Sequence, residues 1–161
     1  MKHIYINNYI IIIMSLPYQF KKENSENILI YHYVEEMMAD FSVYSLENYK
    51  DDDISIAELP FLLRIRCIEK STQKDLVELF HVSNGYASKI LRKFEDNGLI
   101  SRIEDPQNRR RKIVKLTDKG IRKTDGILNH INSWEDMHST NMAQDEIKTL
   151  KKLLFKLLSG E

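Results

Sequence analysis

Residues 72–98 read TQKDLVELFHVSNGYASKILRKFEDNG, and residue chemistry alone places two helix starts and one helix stop in them. Thr72 is a hydroxyl cap with Asp75 three residues on, the pattern in which cap and third residue satisfy each other's backbone N–H groups. Leu76, Leu79 and Phe80 then supply the apolar positions of a short helix. After the brief connection His81-Val82, Ser83 caps a second helix whose Ala87, Ile90, Leu91 and Phe94 fall at i, i+3, i+4 and i+7, one buried stripe. Gly98 after Asn97 marks its end, because a left-handed terminal residue favours glycine. Two short helices on a tight turn predict a helix-turn-helix.

Downstream the texture changes. From Leu99 to Thr117 the β-branched Ile100, Ile103, Ile113 and Val114 flank a polar tip, Asp105–Arg110, which predicts two short strands joined by a loop. The adjacency of Ile113 and Val114 breaks strict alternation. Thr117-Asp118 opens a long helix with Ile121, Ile127, Leu128, Ile131 and Trp134, its acid suiting the helix dipole. A last helix from about Ala143 carries Ile147, Leu150, Leu153, Leu154, Leu157 and Leu158. Upstream, Ile28, Leu29, Tyr31, Val34, Met37, Met38 and Phe41 recur at helical steps between Ser25 and Tyr49, until Asp51–Asp53 ends the run. A further helix starts near Leu59–Pro60 and turns Phe61, Leu62, Ile65 and Ile68 inward.

The fold class expected is mainly α with a small β-hairpin wing (α+β). A winged helix-turn-helix at 55–117 lies between an N-terminal segment and dimerisation helix, 1–54, and C-terminal dimerisation helices, 118–161. The stripe Ile147, Leu150, Leu154 and Leu157 is too apolar for a terminal helix to leave in water, and with Ile28 and Val34 it is expected to pair with a second copy.

Composition narrows the function. The 161 residues are ordinary for a globular chain and hold only five Gly and three Pro. The formal charge of zero conceals a strong asymmetry: Glu23 to Glu58 has ten acids against Lys50, net −9, and Asn84 to Lys123 has twelve bases against five acids, net +7. The basic half calls for an anionic partner. There is no Gly-rich phosphate loop or nucleophile elbow, and His3, His32, His81, His130 and His138 lack ligand spacing, so neither an enzyme nor a metal or cofactor site is expected. A single cysteine, Cys67, points to a reducing compartment. The apolar run Tyr9–Met14 is too short for a signal or a span, so we expect a cytoplasmic protein with no membrane partner. Residues 1–13 are expected to be either a start-site artefact or a loosely packed first helix segment.

A major groove ~12 Å wide admits one helix, held by its inner face and reading base edges with its outer one. In the second helix Asn84, Gly85, Tyr86, Ser88, Lys89, Arg92 and Lys93 are outside, with Lys93 too far along for anything beyond phosphate. Thr72, Gln73 and Ser83, at the helix starts, complete the expected set on double-stranded DNA. At the hairpin tip Arg109-Arg110-Arg111-Lys112 places four cations in a loop, where an arginine can enter a narrow minor groove. The competing reading is a winged-helix protein-interaction module that binds no specific DNA. Cys67 admits a redox-sensing variant, although a small buried thiol is the commoner state. Arg64 and Arg66 fit an anionic effector, or pairing with the acidic Glu23–Glu58 segment.

These residues resemble the MarR family of multiple-antibiotic-resistance-type regulators over roughly Ile56 to Lys123. The resemblance rests on TQKDL (72–76), KILRKFEDNGLI (89–100), DPQNRR (105–110) and LTDKG (116–120), in the family's order and spacing. It implies a homodimer with interlocked first and last helices, two winged lobes on a pseudo-palindromic operator, a repressor's role, and modulation by small phenolic or aromatic acids. Two positions depart from the pattern. Asn108 stands where the family usually has an aspartate paired with the wing arginine, here Arg110, and Gly85 stands where a hydroxyl residue is common.

Overall fold

The computed structural model describes residues 2–6, 9–13, 20–51, 53–68 and 70–160, with the backbone alone for residues 2–6, 9–13, Arg109 and Arg110. The chain divides into two compact units, Met1–Ile127 and Leu128–Glu161.

The first unit opens with strands β1 (Lys2–Ile6) and β2 (Tyr9–Ile13), an antiparallel pair in which Ile6 faces Tyr9. This corrects the expectation of a helical first segment. β-Branched isoleucines fill Ile10–Ile13, and they fit a pleated strand better than a helix. A 3-10 turn (Lys22–Asn27) precedes α1 (Ile30–Asn48), so the helix starts later than Ser25. The Tyr33 hydroxyl donates to Ser25 O at 2.8 Å and ties that turn down. A second 3-10 turn (Ile56–Glu58) leads into α2 (Leu59–Cys67), with Pro60 in its first turn as anticipated.

α3 (Gln73–Phe80) and α4 (Asn84–Asp96) form the helix-turn-helix. Thr72 accepts the Asp75 N–H while Asp75 accepts the Thr72 N–H at 2.8 Å, the reciprocal cap expected from the sequence. His81 closes α3 with φ +51°, a left-handed residue that no feature of the sequence marks. Ser83 caps α4 by accepting the Tyr86 N–H at 3.1 Å. Phe61, Leu62 and Ile65 of α2, Leu76 of α3 and Ala87, Ile90, Leu91 and Phe94 of α4 are all buried together in the core; Ile68 is half-buried and Leu79 exposed.

The sheet has three antiparallel strands in the order β3 (Ser71–Thr72), β5 (Asn108–Leu116), β4 (Ile100–Asp105). Central β5 pairs on both edges at the same residues: Ile113 opposite Thr72 and Ile103, Val114 opposite Ser71 and Arg102. Both Ile113 and Val114 are buried although successive side chains take opposite faces, which accounts for the broken alternation.

α5 (Asp118–His138) leaves the sheet at a tightly built corner. Gly98 sits at φ +65°, and the Thr117 hydroxyl donates to Gly98 O at 2.6 Å and accepts the Gly120 N–H at 3.1 Å. Gly120 is needed for the close approach, because a Cβ there would lie 2.0 Å from Leu99 O. The second unit holds the rest of α5 and α6 (Gln144–Ser159), where Lys151 pairs with Glu135 at 2.8 Å. On α6 Ile147 and Leu154 are half-buried, whereas Leu150, Leu153, Phe155, Leu157 and Leu158 are exposed. No helix among the described residues is long and apolar enough to cross a membrane.

Candidate nucleic-acid interface

With its apolar stripe in the core, α4 turns Asn84, Gly85, Tyr86, Lys89 and Arg92 to the surface and leaves Ser88 half-buried. A shallow concavity of about 490 Å³ runs along this face between Gly85, Ser88, Lys89, Arg92, Lys93, Asp96 and Asn97. Tyr86 is 44% exposed, yet its ring meets Phe61 edge-on at 6.0 Å, and Phe61 stacks on Phe80 at 4.1 Å. An aromatic side chain at the N-terminal end of the helix is thus held in place from beneath. Gln73 Nε2 donates to Asn84 O at 3.3 Å and joins the starts of α3 and α4. Ser83 is exposed but committed to its cap. Thr72 differs from expectation: it is 3% exposed, and its hydroxyl donates to Asp75 Oδ2 at 2.7 Å.

The wing also differs. Only Pro106 and Gln107 separate β4 from β5, so Arg109-Arg110-Arg111-Lys112 lie on strand β5 and not in the tip loop. Asp105 explains the shortened loop, its carboxylate accepting the Gln107 N–H at 3.0 Å in a self-contained turn. The other Asp105 oxygen lies 3.5 Å from Arg111 Nε. An acid ahead of the arginine run therefore anchors this wing at Arg111, a pairing that the family resemblance places at position 108. The side chains of Arg109 and Arg110 lie outside the described residues.

Several bases of the basic segment are consumed internally. Lys93 donates to Glu58 at 2.6 Å, Arg102 pairs with Glu95, Lys119 lies 3.7 Å from Asp53, and Lys123 bridges Asp51 at 2.7 Å and Asp53 at 3.4 Å. Burial pushes the Glu58 carboxyl up, but hydrogen bonds from Lys93 and Ser55 outweigh it and hold the group below the usual range. The Arg102 hydrogen bond holds Glu95 down directly. Acids of the Glu23–Glu58 segment thus neutralise bases on the flanks of the lobe. Among the described residues neither Lys89 nor Arg92 forms an ion pair, so the outer face of α4 keeps its cations.

Among the described residues Arg66 pairs with Asp125 of α5 and with no acid of that segment. Its Nη1 donates to Thr124 Oγ1 and Asp125 Oδ1, both at 2.6 Å, on α5. It also borders an opening of about 300 Å³ lined by Ile65, Ile68, Val114, Lys115, Leu116 and Ile121. Arg64 is exposed on α2, and Cys67, expected to be buried, is exposed too. Among the described residues no cluster of three or more His, Cys, Asp or Glu side chains could hold a metal ion.

Comparison with known proteins agrees with this geometry. A sequence model of the MarR family matches residues 54–112. The multiple antibiotic resistance protein MarR of Salmonella typhimurium is 31% identical over 117 residues, 70% of this chain and 80% of that protein. The HTH-type transcriptional regulator BilQ of Clostridium symbiosum is 25% identical over 126 residues, 78% of this chain and 88% of its own length. Among solved structures, a crystal structure of MarR superposes with a TM-score of 0.73 at 28% identity, covering 83% of this chain and 91% of the other. The transcriptional regulator SlyA, at 20% identity, shares the fold with a TM-score of 0.70 over 83% of this chain and 94% of its own.

Proposed function

The chain belongs to the MarR family of transcriptional regulators, and from that premise we propose that it is a homodimeric repressor that seats α4 of each protomer in the major groove of one half of a pseudo-palindromic operator. One observation carries the reading. The face of α4 opposite the core presents Asn84, Tyr86, Ser88, Lys89 and Arg92, with no acid among the described residues paired to either cation. Asn, Tyr and Ser supply donors and acceptors for base edges, and Lys89 and Arg92 serve bases or phosphates. Gln73 and Ser83 flank that face. Thr72, buried and committed to its cap, positions α3 and leaves the contact set. On the wing Arg111, with Arg109 and Arg110 beside it on β5, reaches the neighbouring minor groove.

Dimerisation is supported in each unit separately. In the first, α1 exposes Ile30, Tyr31, Val34, Met37, Met38 and Leu46, with Leu29 ahead of it and Ile28 half-buried. In the second, α6 exposes Leu150 and Leu157 beside the half-buried Ile147 and Leu154. Apolar surface on this scale is covered by a second copy.

A small aromatic acid releases the protein from DNA in this reading. The opening sets Lys115, and the Arg66 guanidinium already shared with Asp125, beside an otherwise apolar lining, the chemistry of an aromatic carboxylate site; Arg64 lies on the same helix. Fluorescence anisotropy on DNA from beside the protein's own gene tests the proposal. Affinity is expected to fall steeply with salt, and Lys89→Ala to weaken binding by about 1–3 kcal/mol. Absence of binding to that DNA would leave the interaction-module reading in its place, and binding that ignores both salt and Lys89 would remove α4 as the contact surface.

A further inference from the structure

We propose that a clasp between the α1–α2 connection and α5, centred on Asp51 and Lys123, sets the spacing between operator half-sites that this protein accepts; the inference rests on the dimeric DNA-binding reading above. Asp51 lies just past the end of α1, and its carboxylate is 8% exposed. Four donors converge on it. Oδ1 accepts the N–H groups of Asp53 at 2.9 Å and Ile54 at 3.1 Å; Oδ2 accepts the Tyr49 hydroxyl at 2.9 Å and Lys123 Nζ at 2.7 Å. Charge-assisted bonds of this kind are about twice as strong as neutral ones.

The connection is held elsewhere too. Asn97 Nδ2, at the end of α4, donates to Asp53 O at 3.4 Å, and Lys119 Nζ donates to Asn97 O at 2.8 Å. Lys93 of α4 reaches Glu58 at its far end. None of these groups is among Asn84, Tyr86, Ser88, Lys89 and Arg92, the residues assigned to base edges and phosphates, although Lys93 and Asn97 border the same concavity. What they fix is the angle between α1, whose apolar face a second copy covers, and the lobe that carries α4. In a dimer that angle sets the separation and relative rotation of the two recognition helices.

One base pair inserted between half-sites moves them apart by ~3.4 Å and turns one by ~35°. A lobe clasped to α1 cannot follow, and a released one can. The test uses full-length protein and duplexes carrying its selected inverted repeat, with the half-sites as found and moved apart by one or two base pairs. Wild type is expected to lose about tenfold in affinity per inserted pair. In Asp51→Asn and Lys123→Met that loss shrinks to about threefold, while Lys123→Arg, which keeps the cation, restores the sharp profile.

A merely structural defect would lower affinity by one factor at every spacing. That result, or a profile unchanged in both variants, overturns the clasp while leaving DNA binding intact. If neither variant folds, Tyr49→Phe removes a single donor from Asp51; a flattened profile in that variant supports the clasp, and one as sharp as wild type overturns it. A wild type without any spacing optimum would overturn the dimeric reading itself.

Discussion

Gly120 decides how closely α5 approaches the end of α4. With a Cβ placed 2.0 Å from Leu99 O, Gly120→Ala must push helix and sheet apart. We expect a loss of about 2–3 kcal/mol or more, read by urea unfolding. Ser71 presents the opposite case, since its hydroxyl is fully buried on β3 and finds no hydrogen-bond partner among the described residues. Ser71→Ala should therefore stabilise the protein by about 1 kcal/mol. In the wing Asp105 holds both the turn and Arg111, so Asp105→Ala should accelerate hydrogen exchange at Gln107, and unchanged protection there would show that the turn does not depend on this carboxylate. The caps Thr72 and Ser83 and the glycine stop at Gly98 were legible in the sequence, because each answers a local backbone need. Asp105 was not. Its role depends on a carboxylate reaching two residues ahead and across the hairpin at once, which no local pattern encodes.

Among the elements, α4 divides its work by face. Phe94 is fully buried, so Phe94→Ala should cost about 3–5 kcal/mol of stability and lower DNA binding only through lost folded protein. Lys89→Ala should leave unfolding within about 0.5 kcal/mol of wild type while weakening DNA binding, and circular dichroism melts beside anisotropy titrations separate the two effects. This division was readable from the 3.6-residue period because the stripe has no interruptions. The strands were less so. β3 is two residues long and doubles as the cap of α3, so no alternation announces it, yet it pairs with β5 at the two buried residues Ile113 and Val114. The opening hairpin was missed for a different reason: a continuous apolar run such as Ile10–Ile13 has no period with which to tell strand from helix.

At the scale of the molecule, 24 acids balance 24 bases, and acids of the α1–α2 connection close over bases of the lobe. Stability against pH follows from these pairs. Asp51, Glu58 and Glu95 have lowered carboxyls, the first two despite burial, so their contribution is complete above about pH 4 and is lost as pH falls through their lower folded values. Lys123 is raised by its acids against the pull of burial, and its contribution is present below about pH 10 and lost as pH rises through the higher folded value. Tyr49, raised by burial and by Asp51, resists ionisation and adds to the alkaline loss. Urea unfolding across pH should show a plateau between about 5 and 9 with a fall on each side, and Asp51→Asn should flatten part of the acid limb. The apolar faces of α1 and α6 predict a dimer at micromolar concentration, and sedimentation equilibrium giving a monomer would remove the two-half-site arrangement. In vitro selection of random duplexes with the full-length protein, followed by sequencing, reads half-site recognition by a dimer in one experiment. We predict enrichment of an inverted repeat whose half-sites are centred about one helical turn apart, ~10 base pairs, and loss of that enrichment in Lys89→Ala; a library that emerges with no motif, or with a single unrepeated half-site, would contradict it.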